Sequence, residues 1–202
     1  QGSDANASTG NLELVEIKGS TYKGKLLIVH DPRSVIVGTS DGFGYSAGLQ
    51  LTDMVLKYDG AAGINAGGFN DENGTGDGGT PQGLVISNGE ITWGSAEESY
   101  SVIGLDENGI LIIGKMTAAE ALEQGVIWGV SFSMEGAING ALVVNGEVQE
   151  YNLASGVNPR TAIGQRADGA LLLLVLDGRQ IDTLGATLKD VCDVMLEYGA
   201  IN

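Results

Sequence analysis

The sequence predicts an α+β fold: mixed, largely antiparallel sheets of short strands, with two or three isolated helices. Three observations carry this expectation. Short apolar runs are separated by Asn-Gly and Asp-Gly pairs, the turn chemistry of consecutive hairpins. Two Thr-x-x-acid boxes, Thr117 to Glu120 and Thr187 to Asp190, mark helix starts. The 33 glycines follow no Gly-X-Y period, so they imply many turns and backbone-lined surfaces rather than a collagen helix.

A chain of 202 residues can bury a sizeable core, and one large domain is the simplest organisation. The polar, small-residue stretch 1–11 is expected to be a flexible N-terminal tail, with residues 12–202 forming a single domain. With 26 acidic and 10 basic residues the net charge is −16, and no Lys/Arg run occurs. That balance argues against nucleic-acid partners and against docking on anionic membranes. No apolar run is long enough to span a membrane. Cys192 is the only cysteine, which excludes an intrachain disulfide or thiolate zinc cluster, and its apolar helical neighbours mark it as core.

In chain order, Lys25 to Val29 and Ser34 to Val37 read as strands of a hairpin, turned by His30-Asp31-Pro32-Arg33. Thr52 is placed to cap a helix over Asp53 to Tyr58, stopped by Asp59-Gly60. Ala61 to Asn70 reads as a small-residue strand entering a loop of turn formers. Strands are expected at Leu84 to Ile86 and Glu90 to Trp93 around Asn88-Gly89, then at Ser101 to Leu105 and Ile110 to Ile113. A helix over Ala118 to Gln124 opens at the first box and closes at Gly125. Ile127 to Ser133, Ala141 to Val144 and Glu147 to Gln149 follow as strands, the last two around Asn145-Gly146. Ala162 to Arg166 and Ala170 to Leu176 form a hairpin around Asp168-Gly169. The second of these strands is apolar on both faces, so it should be central and buried. Leu188 to Tyr198 is the last helix. Ala200-Ile201-Asn202 begins one more strand, and a strand of that length is expected to belong to a longer polypeptide.

Candidate chemistry concentrates in a few places. Pro159 restricts Asn158 to extended geometry, and Arg160 with Thr161 sets a guanidinium fork beside a hydroxyl, a pairing suited to phosphate or carboxylate oxygens. The plainer reading is an arginine paired with one of the many acids. Asp177 and Arg179 follow the buried strand, where strand ends meet clefts, or form a turn with its own salt bridge. Asn65, Gly68, Phe69 and Asn70 combine an aromatic face with amides and close backbone approach, a platform for a sugar ring. His30 lines a site or is solvated in its turn. Asp71, Asn73, Thr75 and Asp77 alternate like calcium ligands but lack the closing Glu, so a polar loop is the competing reading. No other metal or cofactor is implied.

Taken together, Ile64-Asn65-Ala66-Gly67-Gly68-Phe69, Thr80-Pro81-Gln82-Gly83-Leu84-Val85-Ile86-Ser87-Asn88-Gly89, Asn158-Pro159-Arg160-Thr161-Ala162-Ile163-Gly164 and Leu176-Asp177-Gly178-Arg179 resemble the phosphodiester glycosidase domain family. The resemblance runs from about Lys25 to Asn202. The family motif that follows the last helix is similar to Asn-Leu-Asp-Gly-Gly-Gly-Ser-Ser, of which this sequence supplies Asn202, so the domain is expected to lack its C-terminal end. A C-terminal fragment completing the domain is then an expected partner.

The resemblance implies a hydrolase that cleaves a sugar-1-phosphodiester, such as an N-acetylglucosamine-1-phosphodiester, to free sugar and phosphomonoester. It implies Asp177 and Arg160 as catalytic groups. Asn65, Gly68, Phe69, Asn70, Asn158, Thr161, Arg179 and Asn202 are implied as substrate-binding. It further implies a bacterial exopolysaccharide or cell-envelope setting, extracellular or at the cell surface, with a sugar-phosphate or polysaccharide substrate. The alternative is a non-catalytic glycan-binding or polysaccharide-assembly module, which would share the sugar platform without needing Arg160 on a phosphate. A calcium-dependent adhesive module rests on the 71–77 loop alone.

Overall fold

The structure, a computed structural model, describes residues 7–44, 47–70, 78–132, 140–149 and 156–202. Its first strands are β1 (Ala7–Thr9), β2 (Leu12–Lys18) and β3 (Lys23–Val29), followed by a 3-10 turn at Pro32–Ser34 and helix α1 (Leu51–Lys57). Next come β4 (Gly68–Phe69), β5 (Pro81–Gln82), β6 (Val85–Ser87), β7 (Glu90–Trp93), β8 (Ser99–Asp106), β9 (Leu111–Thr117), α2 (Ala118–Glu123) and β10 (Val126–Ser131). The chain continues through β11 (Val143–Val144), β12 (Glu147–Val148), β13 (Arg160–Gln165), β14 (Leu171–Leu176) and α3 (Leu188–Glu197). The fold class is α+β, as the turn pattern predicts. These elements group into two compact units, one of Gln1–Pro32 with Glu135–Asn202 and one of Arg33–Met134.

The first unit is organised around β14. Its sheet runs β1-β2-β3-β14-β13, with neighbouring strands antiparallel. Leu171, Leu172, Leu173, Leu174 and Leu176 are all buried, so both faces of β14 are covered, as expected of a central strand. Leu172, Leu174 and Leu176 share a core with Val15, Ile17, Leu26 and Ile28 of the sheet and with Val191, Val194 and Met195 of α3. The second box forms as predicted. The Asp190 N–H donates to Thr187 Oγ1 at 3.1 Å and the Thr187 N–H donates to Asp190 Oδ2 at 2.7 Å. Cys192 lies buried within this helix, also as expected.

The second unit carries a sheet in the order β7-β6-β10-β8-β9. Ala118 and Ala121 of α2 pack on Leu84, Ile86, Val102 and Val126, and their small size lets the six-residue helix lie close to the sheet. The first capping box is present at Thr117 and Glu120. Asn88 and Asn145 adopt φ of 53° and 54°, and Gly89 and Gly146 follow at 76° and 78°. Both pairs therefore supply the left-handed central residues of two-residue hairpin turns.

Several elements differ from the sequence reading. Residues 34–37 form no strand, because both edges of β3 are taken by β2 and β14 and Pro32 opens a 3-10 turn instead. β2 is a strand for which no element was expected, although Glu16 and Lys18 alternate with the buried Val15 and Ile17. Ala7–Thr9, in the expected tail, pairs with Leu12–Leu14. Helix α1 starts at Leu51, so Thr52 lies inside it. Gln50 is the N-cap and makes no side-chain cap bond. Ala200 to Asn202 forms no separate strand but bridges antiparallel to the end of β13, Ala200 opposite Arg166. The calcium candidates Asp71, Asn73, Thr75 and Asp77, and Ser133 at the end of one expected strand, lie outside the described residues.

Candidate functional site

In the first unit the register of β13 on β14 places Arg160 opposite Leu176, so Asp177 emerges where Arg160 begins. The Asp177 N–H donates to Lys23 O at 2.7 Å, which carries the ladder one residue past β14. Side chains alternate across a sheet, so Thr161 and Asp177 fall on one face and Arg160 on the other. Arg160 and Thr161 therefore do not close on a single oxygen as their adjacency suggests.

Arg160 is half-buried. Its Nε donates to Ala186 O at 3.1 Å and its Nη2 to Gly156 O at 3.0 Å. Burial pulls its guanidinium below the usual arginine value, but arginine remains charged throughout the working range of pH. The contact to Ala186 matters because Ala186 also holds Asn158. Asn158 N–H donates to Ala186 O at 3.1 Å, and Ala186 N–H donates to Asn158 O at 2.9 Å. Two glycines make this approach possible. A Cβ on Gly178 would lie 2.6 Å from Pro159 N, and one on Gly185 would lie 2.7 Å from the N, C and O of Asn158.

Asn158 in turn receives Arg179. The Arg179 Nη2 donates to Asn158 Oδ1 at 3.0 Å. Arg179 holds φ at +59°, while the other described non-glycine residues with positive φ are Asp59, Asn88 and Asn145, residue types that tolerate this region in turns. A bulky cation in a left-handed backbone beside an exposed carboxylate is the form of strain that gathers at ligand sites. The structure thus brings Asn158, Arg160, Asp177 and Arg179 into one neighbourhood, with Thr161 on the face of Asp177.

Asn202 is not part of that neighbourhood. Its carbonyl accepts from Gln165 N–H at 2.9 Å and its Oδ1 lies 3.5 Å from Asn145 N. That is the far end of β13, about 17 Å from Arg160 at the usual strand rise. His30 is also at that end. It follows Val29, which pairs with Leu171, and its Nε2 sits 3.9 Å from Glu13 Oε2.

The second unit holds the other expected binding residues. Gly68 and Phe69 pair with Gln82 and Pro81, and Asn70 N–H donates to Thr80 O at 2.9 Å. Phe69 and Asn65 are exposed, as a platform requires. Sequence reasoning passed over two aromatics here. Phe43 meets Trp93 edge to face with ring centroids 5.7 Å apart. A Cβ on Gly44 would touch both the Trp93 ring and Thr80 Oγ1, which ties this pair to the Thr80–Asn70 strand end. The available signal was their setting, an aromatic beside glycine in Gly42-Phe43-Gly44 and in Trp93-Gly94.

A sequence profile described as phosphodiester glycosidase matches residues 58–202. The chain is 44% identical over 45 residues to the SPbeta prophage-derived uncharacterized protein YomE of Bacillus subtilis strain 168, a match spanning 22% of this chain and 7% of that protein. The match therefore covers under a tenth of that relative's length. Among solved structures, the fold resembles the catalytic domain of zebrafish N-acetylglucosamine-1-phosphodiester alpha-N-acetylglucosaminidase, auto-inhibited by its pro-peptide. That likeness has a TM-score of 0.70 at 21% identity, over 100% of this chain and 72% of the other. A hypothetical protein from Synechocystis aligns with a TM-score of 0.59 at 14% identity, over 95% of this chain and 55% of its own.

Proposed function

This chain belongs to the phosphodiester glycosidase family, and from that premise we propose that it hydrolyses a sugar-1-phosphodiester to free sugar and phosphomonoester. The observation that carries the site assignment is Arg179, held on Asn158 in a left-handed backbone next to Asp177. In this reading the Arg179 fork binds the phosphate and Thr161 hydrogen-bonds an oxygen on the face of Asp177. The Asp177 carboxylate serves as base or orienting group. Arg160 acts through the peptide groups of Ala186 and Gly156, keeping Asn158 and hence Arg179 in place, and is a positioning residue. A phosphate leaving group is a weak base, so clamping its charge contributes more than protonating it. Within the second unit, taken by itself, Asn65, Phe69 and Asn70 offer an aromatic face and amides of the kind that suits a sugar.

The activity named for the zebrafish enzyme makes N-acetylglucosamine the first sugar to try, and we propose an exported or envelope glycan as the setting. No described helix is long and apolar enough to cross a membrane.

The test is release of free N-acetylglucosamine from a synthetic α-linked 1-phosphodiester, by this chain and by a polypeptide extended past Asn202. Release that is lost in Arg179→Ala supports the assignment. Silence from both folded proteins on several sugar phosphodiesters would favour the glycan-binding module, for which the exposed Phe69 is the supporting feature.

A further inference from the structure

Between β14 and α3 the chain makes a narrow hairpin beside the Arg179–Asn158 pair. Arg179 N–H donates to Leu184 O at 3.1 Å and Gln180 N–H to Thr183 O at 3.0 Å. Its base is fixed by Thr21, whose carbonyl accepts from Gly185 N–H at 3.0 Å and whose Oγ1 donates to Gly185 O at 2.9 Å. Lys23 holds Asp182 at 2.7 Å on its flank. A turn anchored at so many points could be polar throughout, yet beside the exposed Gln180 and Asp182 it carries Ile181, wholly exposed at 106%, and Leu184 at 60%. Val157, the residue before Asn158, adds a third exposed apolar side chain at 45%. All three lie close to the arginine along the backbone: Leu184 O accepts the Arg179 N–H, Ile181 follows Arg179 by two residues, and Val157 precedes the Asn158 that receives its guanidinium.

We propose that Val157, Ile181 and Leu184 form an apolar rim that receives the alcohol side of the phosphodiester, and that this alcohol is a long alkyl or isoprenoid chain. The inference rests on the reading of Arg179 as the phosphate ligand. A rigid apolar lip continuous with a bound phosphate distinguishes one hydrocarbon phosphate from a sugar alcohol, which would leave the lip wet. The acidity of the chain, net charge −16, favours a single amphiphile over an anionic bilayer as occupant.

The experiment measures binding of methyl phosphate and of octyl phosphate, below its micellar concentration, to the whole chain by calorimetry. Octyl phosphate is expected to bind roughly tenfold or more tightly, the effect of burying about two methylenes. Ile181→Ser with Leu184→Ser should bring it to the methyl phosphate level, and Val157→Ser should narrow the gap in part. Equal binding of the two phosphates to the unaltered protein, or a preference that survives the double substitution, overturns the proposal. So does concentration-dependent dimerisation abolished by the same substitutions, which would assign the rim to a second copy. Because the readout is binding, failure of sugar release with a preserved chain-length preference would sink the glycosidase reading and leave the rim standing.

Discussion

The Arg179 guanidinium donates to the Asn158 amide oxygen at 3.0 Å, joining residues 21 apart in the chain. The bond selects one orientation of a long, exposed side chain, and its value lies in the rotamer entropy that a phosphate would otherwise remove on binding. Asn158→Ala is expected to raise KM for a sugar-1-phosphodiester about tenfold with a smaller change in kcat. Because the pair is exposed, the thermal midpoint should move little. Steady-state kinetics beside a melting curve checks both halves, and an unchanged KM would remove Arg179 from the phosphate.

Arg160 makes a different prediction because its guanidinium donates to the carbonyls of Ala186 and Gly156. Arg160→Ala deletes the charge-assisted bonds to these peptide oxygens and is expected to cost about 1.5–3 kcal/mol of stability or more. Turnover should fall with it, through the loosened Asn158 bridge. Arg160→Lys should recover part of the stability, since an ammonium reaches one carbonyl but cannot span two. Urea midpoints and kcat/KM measured together decide the matter. Loss of activity at full stability would mean that Arg160 touches the substrate directly.

How much of this was legible in the sequence depends on whether the signal is local. Asn88-Gly89 and Asn145-Gly146 fixed their turns, and both Thr boxes fixed helix starts, because each is a contest among a few adjacent residues. β14 was legible from apolar residues on both faces. Partner choice was not. Lys25 to Val29 could pair with any strand, and it takes β2 and β14 in preference to the next run in the chain. At the site, the resemblance implied Asn158, Arg160, Asp177 and Arg179, with Thr161 and Asn202 among others, as parts of one site. It could not tell that the pleat sends Arg160 and Thr161 to opposite faces, or that Asn202 lies at the other end of β13.

Gly185 is expected to be the glycine least tolerant of alanine near the site. Its φ is +129°, and the added Cβ would meet three backbone atoms of Asn158 at 2.7 Å. Backbone cannot turn aside as a flexible side chain can, so Gly185→Ala should cost about 2–4 kcal/mol and displace Asn158. Gly169→Ala is the control. Its φ is +91° but nothing lies within 4 Å, so only the left-handed strain, about 1–2 kcal/mol, is incurred. Equal shifts in urea midpoint for the two would show that crowding at Asn158 is unimportant.

Asp182 gives the pH dependence of the hairpin that carries the apolar rim. The hydrogen bond from Lys23 is the chief reason its carboxyl titrates below the ordinary aspartate value, with its own backbone N–H and the lysine charge adding to the effect. A carboxyl depressed in the folded state contributes stability above its unfolded value of about 3.9. The contribution is lost as the pH falls through the lower, folded value. Acidification into that window should therefore loosen the Asp182 flank, while the range from pH 5 to neutrality, roughly, should leave it unchanged. A carboxyl-carbon NMR titration reads Asp182 directly, and Lys23→Met is expected to raise its midpoint toward the ordinary aspartate value, leaving only the part due to its own backbone N–H. If the midpoint is already ordinary in the unaltered protein, Lys23 does not hold the hairpin in solution, and the rigidity argued for the apolar rim must come from the Thr21–Gly185 bonds and the hairpin's own backbone bonds.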